Sequence, residues 1–355
     1  MVKLTSHHEK ALSLLFSELD ATAREQPEAF LGTPGNLTLR KNESGTEFWV
    51  HRFSNALGER QEVYLGTDED PSAKTRVESL RQRIEEANST ISRVRVLARA
   101  GFATVDRKTY ATLASLHNHG LFRGGAVLIG SHAFGALLNA LGVKAVPYAT
   151  EDVDIARPEV LALPEIPPFI DMLRNTGIKF FEVPALSCRQ PATSFKEGGK
   201  SRLTVDLLVP SAGEGYSTVP VPELKAHARG LPYLRYLLSG SQEVPILSPH
   251  GVVLVRVPVP ERYAIHKLLV SQLRTETRSK SAKDLSQAAI LIEALVESFP
   301  GAVQEALSAA PKSAARHLRR ALTALERYLP ADADAAWDVL CPTRSTVKRL
   351  TRDER

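Results

Sequence analysis

The sequence predicts an α+β protein in which a mixed-sheet core lies between an amino-terminal helix-and-meander region and a carboxyl-terminal helical region. Three observations predict this class: short strands that alternate apolar and polar residues near the start, buried apolar strands separated by helices in the middle, and helical periodicity after Pro260. With 355 residues, 43% of them hydrophobic, the chain is long enough for two or three domains. We place the boundaries at residues 1–100, 101–260 and 261–355.

Composition excludes several classes of protein. Two cysteines cannot form a disulfide framework, and neither Cys188 nor Cys341 has the spacing of a zinc motif. The first ten residues carry charges instead of an apolar run, and the uncharged stretch 124–143 contains five glycines, so we expect no secretory signal and no membrane segment. These features predict a cytoplasmic protein. The net charge of +5 at pH 7 is compatible with a nucleotide or nucleic-acid partner.

The first hundred residues predict two helices around a small sheet. Apolar residues recur on one helical face over 8–23, and Asp70-Pro71 is typical of the start of a second, long helix. Three alternating segments between the helices predict an antiparallel meander: 37–40, 47–53 and 61–65. The meander mixes aromatic and basic side chains, which is typical either of nucleic-acid binding or of a solvated sheet with its aromatics packed inward. The apolar stripe of the long helix needs a cover from this chain or from a second copy, so a homodimer stays open.

The rest of the chain alternates strands with helices and then becomes helical. Helices are predicted over 106–120, 131–141 and 169–175, and after residue 260 over 261–273, 280–298 and 312–329. Strands are predicted between them over 126–129, 153–156, 179–186 and 202–209, and short apolar runs follow at 244–247 and 252–257.

Three aspartates in the central region fall on predicted strands. Asp152 and Asp154 are two residues apart, so both carboxylates point to the same side of one strand. Asp206 lies between apolar neighbours in another strand and can project from the same side of the sheet. Carboxylates about 4 Å apart repel by about 4 kcal/mol per pair at an effective dielectric constant of about 20, so such a cluster needs a cation. Oxygen ligands without a nearby thiolate or paired imidazole select Mg²⁺ or Mn²⁺.

A glycine and a serine mark the turn from a buried strand into the next helix. Gly130 allows the backbone to approach a ligand closely, and Ser131 opens the helix, where free N–H groups and the helix dipole favour an anionic phosphate. Acidic side chains that hold metal ions, next to a phosphate cradle, are what an in-line displacement on a nucleoside triphosphate (NTP) requires.

This order of motifs resembles the nucleotidyltransferase superfamily with the DNA polymerase β-like fold, and within it a bacterial branch characterised mainly by its fold. The similarity spans roughly residues 35 to 300. The interval between Ser131 and Asp152 is longer than in many members, so we expect an insertion there. The strings that carry the resemblance are Tyr64-Leu65-Gly66, Gly130-Ser131-His132-Ala133-Phe134, Leu141-Gly142-Val143, Glu151-Asp152-Val153-Asp154-Ile155-Ala156, Arg262-Tyr263-Ala264-Ile265-His266-Lys267-Leu268 and Lys283-Asp284-Leu285.

The resemblance implies a role for each matching residue. Asp152 and Asp154 would bind two Mg²⁺ ions, and Asp206 would hold the ion that activates the attacking hydroxyl group. The triphosphate would lie on Gly130 and Ser131. Lys267 would neutralise the β or γ phosphate. The resemblance assigns no firm role to His132, His266 or Lys283.

The function that these expectations predict is transfer of a nucleoside monophosphate from an NTP to an acceptor hydroxyl group, with release of pyrophosphate. We expect RNA as the acceptor, with the 3′ end of a tRNA as one candidate, because the chain has basic segments. Some relatives of this fold act on tRNA as toxins or antiphage effectors, which implies a toxin-like or defence role and an antitoxin-like partner. Two alternatives remain: nucleotidylation of a protein or a small molecule, and a catalytically idle module that binds nucleotide or RNA.

Overall fold

The computed structural model describes residues 3–145, 150–163, 166–184, 190–211, 215, 217–274 and 278–341. Cys188 and the last two residues of the strand predicted over 179–186 lie outside these ranges, as do residues 146–149 of the expected insertion.

The amino-terminal part contains the predicted helices and meander. Asp70 caps the long helix, because its carboxylate accepts a hydrogen bond from the Ser72 backbone N–H at 2.8 Å and Pro71 occupies the first helical position. The apolar stripe of that helix packs within this chain, against the first helix and the later strands, so a second copy is not needed to cover it. The elements are β1 Ser6–His7, α1 Lys10–Glu25, β2 Asn36–Lys41, β3 Glu47–Ser54, β4 Arg60–Thr67 and α2 Pro71–Arg99.

The central part forms a mixed sheet with the strand order β11-β12-β10-β7-β5, and β9 joins β10 while β8 joins β9. Part of the expected insertion is β6, which pairs with β1 in a separate two-stranded sheet. The short strands β9, β11 and β12 were not predicted from the sequence. The elements are α3 Arg107–Asn118, β5 Val127–Ile129, α4 Gly130–Ala140, β6 Val143–Lys144, β7 Asp152–Ala156, α5 Phe169–Arg174, β8 Phe180–Glu182, β9 Ser194–Glu197, β10 Thr204–Pro210, β11 Ser217–Val221 and β12 Ala226–Leu231.

The carboxyl-terminal part begins with a hairpin and continues as packed helices. The helix predicted over 312–329 is shorter than expected, because it starts as a 3₁₀ turn at Lys312–Ala314 and ends at Leu325. Apolar periodicity continues past this end, since Leu329 is also buried, and this is why the sequence pattern overestimated the helix. The elements are α6 Leu234–Leu238, β13 Ser241–Ser248, β14 Gly251–Pro258, α7 Pro260–Leu273, α8 Arg278–Ser298, α9 Pro300–Ser308, α10 Ala315–Leu325 and α11 Asp334–Leu340, with a further 3₁₀ turn at Pro222–Leu224.

The main hydrophobic core connects the sheet to the helices that follow it. Val153, Ile155 and Val205 on the inner face of the sheet belong to the same buried cluster as Ile265 and Leu268 of α7. This packing fixes α7 beside β5 and α4, where the candidate site lies. The domain boundaries at residues 100 and 260 stay a prediction. Over the described ranges, no helix combines the length and the apolar character needed to cross a bilayer.

Candidate active site

Two of the three predicted carboxylates lie side by side. β7 and β10 are parallel neighbours, and Asp154 is the register partner of Asp206. Residues in register on adjacent strands lie about 5 Å apart and project to the same face. The opposite face of both strands is the core, where Val153 and Val205 are fully buried. The alternation of polar and apolar residues in both strands therefore places this carboxylate pair on one face of the sheet.

Asp152 lies on the same face but further along the sheet. Its register partner is Thr204, and its side chain is exposed to solvent. Among the described residues, no group of three or more His, Cys, Asp and Glu side chains converges closely enough to hold a metal ion. The structure therefore brings Asp154 and Asp206 together and leaves Asp152 at the exposed edge of the site, two residues further along β7.

Gly130 forms the wall of the site opposite Asp154. β5 pairs antiparallel with β7 so that Ile129 faces Asp154, and α4 begins at the next residue. Gly130 has a φ of +71°, and a Cβ atom at this position would overlap Oδ2 of Asp154. Only glycine combines this backbone conformation with this closeness to the carboxylate. Ser131 follows in the first turn of α4, partly exposed at the same edge.

Burial and the negative charges of neighbouring carboxylates raise the pKa values of Asp154 and Asp206. Burial, and next the negative charge of Asp206, raise the pKa of Asp154 from 3.8 to about 6, while the positive charge of Lys267 opposes the rise. Burial likewise raises the pKa of Asp206, against a hydrogen bond from the Ser194 hydroxyl that lowers it. Oδ1 of Asp206 is buried without a hydrogen-bond partner. An orphaned carboxylate oxygen beside a second carboxylate fits a divalent cation, which would supply the missing positive charge.

Lys267 is connected to the site by a buried network of ion pairs and hydrogen bonds. Its ammonium group donates to Oδ1 of Asp284 at 2.7 Å, and the guanidinium group of Arg274 lies 3.2 Å from Oδ2 of the same carboxylate. The hydroxyl group of Tyr263, one helical turn before Lys267, donates to the carbonyl oxygen of Gly130 at 2.7 Å. The ammonium group of Lys267 is therefore committed to Asp284 while its charge acts on Asp154. Nothing in the sequence indicates that Tyr263 or Arg274 contacts this network, so neither was predicted as a site residue.

The two histidines that the resemblance left unassigned are buried and neutral. His132, in the first turn of α4, has its pKa lowered to about 4 by burial, and its Nε2 atom has no hydrogen-bond partner. His266 on α7 has its pKa lowered to about 3 for the same reason. Burial, followed by the charge of Lys267, lowers the pKa of Lys283. At neutral pH both imidazoles are therefore uncharged and cannot neutralise a phosphate.

The Lys267–Asp284 pair gives the first prediction. The side chains are 10% and 1% exposed, so removal of Lys267 leaves the buried Asp284 carboxylate with only the more exposed Arg274 as its ion-pair partner among the described residues. We expect Lys267→Met to lower the free energy of unfolding by about 3 kcal/mol. Lys267→Met combined with Asp284→Leu should recover part of that loss, and urea denaturation of the single and double variants measures both values. Equal or greater loss in the double variant would contradict this account of the pair.

The fold and the site together define a class. A mixed sheet with adjacent strand carboxylates, bordered by a glycine-serine turn into a helix, is the arrangement of a nucleotidyl-transferring domain. The model of a nucleotidyltransferase family matches residues 107–311, more than half of the chain, and the protein belongs to this family. The match runs from the start of α3 to beyond α9 and so includes both carboxylate strands and the Lys267 network. No curated protein matches the chain.

Proposed function

We propose that the protein transfers a nucleoside monophosphate from an NTP to a hydroxyl group of an RNA acceptor, with release of pyrophosphate. The observation that carries the proposal is the Asp154–Asp206 register pair, held against Gly130 at the start of α4. Family membership supports the general reaction, and the geometry supports the assignment of residues to it.

The start of α4 is the proposed binding site of the triphosphate. The helix is 11 residues long and has no acidic residue in its first turn, so its free N–H groups and dipole favour an anion. Ser131 adds a hydroxyl donor. Lys267 lies behind this turn, and its charge contributes to the local potential through the network with Asp284.

The carboxylates are the proposed binding site of divalent cations, Mg²⁺ or Mn²⁺. Asp154 and Asp206, which lie in register, are the proposed ligands, and Asp152, whose side chain is exposed, would rotate toward them when the site is filled. Such cations supply charge neutralisation for the carboxylates and the phosphates and hold the reacting oxygens in line. The donor set consists of oxygen atoms, which these hard cations prefer.

The reaction itself exchanges one bond at phosphorus for another. The acceptor oxygen forms a bond to the α phosphorus, the bond from that phosphorus to the bridging oxygen of the β phosphate breaks, and pyrophosphate leaves with the electron pair. The proton of the acceptor hydroxyl group passes to solvent or to Asp206, whose Oδ1 atom has no other partner. Tyr263 holds the Gly130 carbonyl oxygen in place during these steps.

Unpaired positive charge on the surface supports RNA as the acceptor. The outer face of α10 carries Arg316, Arg319 and Arg320, all exposed and, within the described residues, without an ion-pair partner. The meander contributes less unpaired positive charge than its composition predicts. Arg40 and Arg52 both pair with Glu62 there, at 2.8 and 2.9 Å. Free cations are what a phosphodiester backbone contacts, so the helix is the better candidate for long-range attraction of RNA.

The test is transfer of label from each α-³²P NTP to purified total tRNA in the presence of Mg²⁺, together with pyrophosphate release. We expect label on RNA and stoichiometric pyrophosphate with at least one NTP, and neither product from Asp206→Asn. If pyrophosphate is released and the label appears on a protein or a small molecule, that molecule and not RNA is the acceptor. If no NTP gave pyrophosphate with any acceptor, the proposal would be wrong.

The raised pKa of Asp154 predicts how cation binding depends on pH. Protonation of a ligand competes with the metal, and this carboxyl group takes up its proton near pH 6, well above the usual 3.8. We therefore expect the increase in melting temperature produced by Mn²⁺ plus an NTP analogue to be full near pH 8 and to fall as the pH decreases through about 6. A thermal-shift series across this range measures the effect. An unchanged shift down to about pH 5 would contradict a role for Asp154 as a ligand.

A further inference from the structure

A cleft opens near the carboxylates, at the beginnings of β7 and β10. It has a volume of about 560 Å³, and its walls come from the first turn of α3, from Glu151, and from the turn between β9 and β10. Glu151 immediately precedes Asp152, and Leu203, which also lines the cleft, precedes Asp206 by three residues of extended chain, about 10 Å. The cleft and the carboxylates therefore share the same two strands.

Buried contacts hold the walls of this cleft in place. Nζ of Lys108, in the first turn of α3, lies 2.6 Å from Oε1 of Glu197 at the end of β9, where Glu197 is 8% exposed. The backbone N–H of Glu197 donates to the carbonyl oxygen of Leu203 and closes the turn at 3.0 Å. Asp106 caps α3 by accepting from the backbone N–H groups of Lys108 and Thr109. These contacts fix the backbone on two sides of the cleft.

Two cations at the cleft form no ion pair in the described part of the chain. The two acidic groups of the lining keep their negative charges and accept hydrogen bonds from the backbone: Asp106 from the start of α3, and Glu151 from the N–H of Arg202 at 3.1 Å. Lys108 is neutralised by Glu197. Lys200 and Arg202 are exposed at the cleft, and within the described residues neither forms an ion pair. Two unpaired cations on one turn favour an anionic ligand, and a guanidinium group can grip a phosphate with two parallel hydrogen bonds.

We infer that this cleft binds a phosphate of the RNA acceptor, with Lys200 and Arg202 as the binding residues. The inference rests on the proposed function and adds the position of the acceptor. An anionic strand that approaches a carboxylate site is repelled by it, and the Coulomb energy falls with distance, so cations in contact with a phosphate outweigh carboxylates about 10 Å away. The cleft would therefore position the strand so that its reactive hydroxyl group reaches the α phosphate at Asp154 and Asp206.

Equilibrium binding of RNA tests the site without relying on catalysis. The probe is a fluorescein-labelled oligouridylate of about twelve nucleotides, followed by fluorescence anisotropy over a range of salt concentrations. We expect Lys200→Gln combined with Arg202→Gln to weaken binding about tenfold and to reduce the salt slope by about 1.4, the value for two lost contacts to a single strand. The affinity for an NTP, measured separately, should stay within twofold. Both side chains are exposed, so the melting temperature should not change.

A matched control has the same loss of charge at another exposed place. Lys74→Gln combined with Arg99→Gln on α2 also removes two exposed cations that form no ion pair within the described residues, and neither of them lines the cleft. We expect this variant to retain the wild-type salt slope within about half a unit. If both variants lost RNA affinity equally, the effect would reflect the net charge of the protein, and the assignment of the cleft as an RNA-binding site would be wrong. Failure of the wild type to bind the probe, or parallel loss of NTP affinity in the cleft variant, would overturn it as well.

Failure of this inference can be told apart from failure of the proposed function. If the wild type labels tRNA while the cleft variant binds the oligouridylate normally, the reaction stands and the cleft assignment falls. If the wild type shows no transfer but the cleft variant selectively loses RNA binding, the site stands and the reaction falls.

Discussion

Replacing Asp154 with Asn should reduce nucleotidyl transfer by about a thousandfold or more, which corresponds to about 4 kcal/mol of lost transition-state stabilisation. The carboxylate lies in register with Asp206 against Gly130, so the amide would remove one of two adjacent ligand charges without changing the shape of the site. Initial rates of pyrophosphate release, measured for the wild type and the variant at saturating NTP, give the ratio directly.

The same substitution should stabilise the metal-free protein near neutral pH. Folding raises the pKa of the Asp154 carboxyl group from 3.8 to about 6, which means that the folded state favours its protonated form. The stabilisation from this protonated group is therefore complete below pH 3.8 and is lost as the pH rises through about 6. Above that pH, the ionised carboxylate lowers the free energy of unfolding by on the order of 3 kcal/mol, because the pKa is raised by about two and each pKa unit corresponds to about 1.36 kcal/mol. We therefore expect Asp154→Asn to raise the melting temperature near pH 8 in the presence of a chelator. This gain should shrink as the pH falls below about 6.

Asp332→Asn is the control for the aspartate prediction, because Asp332 is exposed and lies outside the site. It should change neither the rate nor the melting temperature. An Asp154→Asn variant that kept more than a tenth of the wild-type rate would show that this carboxylate does not hold a reacting group.

The second large effect is expected from Gly130→Ala. A Cβ atom there would overlap the Asp154 carboxylate, and the φ of +71° is strained for any residue with a side chain. Strain of about 1–2 kcal/mol and overpacking of about 1–3 kcal/mol together predict a loss of about 2–5 kcal/mol in the free energy of unfolding. Because displacement of a reacting group by about 1 Å can cost a hundredfold in rate, transfer should fall at least that far.

Gly45→Ala separates the backbone strain from the overlap. Gly45 has a φ of +88°, and a Cβ atom there would meet only the side chain of Lys41, at 3.8 Å. This variant should lose only the strain energy, about 1–2 kcal/mol, and should keep full activity. Urea denaturation and pyrophosphate release measure both variants, and equal losses of stability and activity would contradict the packing of Gly130 against Asp154.

The strand positions of the carboxylates could be predicted from sequence because alternation is a strong local signal. Asp154 and Asp206 are each flanked by two apolar residues and Asp152 is followed by one, which fixes the face on which the three lie. The register between β7 and β10 could not be predicted, because it depends on contacts between segments about fifty residues apart. Register is what separates Asp152 from the other two, since it aligns Asp152 with Thr204 and Asp154 with Asp206.

The surroundings of the site were harder to predict for the same reason. Lys267 has a recognisable sequence context, but its partner Asp284 lies on the next helix and is 1% exposed. The aromatic and basic residues of the meander resembled a nucleic-acid surface, yet Trp49 donates a hydrogen bond to Asp68 at 2.7 Å. Composition identifies the residues available for such roles, whereas tertiary pairing decides which of them remain free.

Manganese binding tests the account most directly, because the proposed reaction depends on the proposed cation site at Asp154 and Asp206. Electron paramagnetic resonance reports free Mn²⁺, so its signal can be followed as protein is added in the presence of a non-hydrolysable NTP analogue. We predict that the wild type removes the free signal and that Asp154→Asn combined with Asp206→Asn fails to do so while remaining folded. Equal binding by the two proteins would contradict the account.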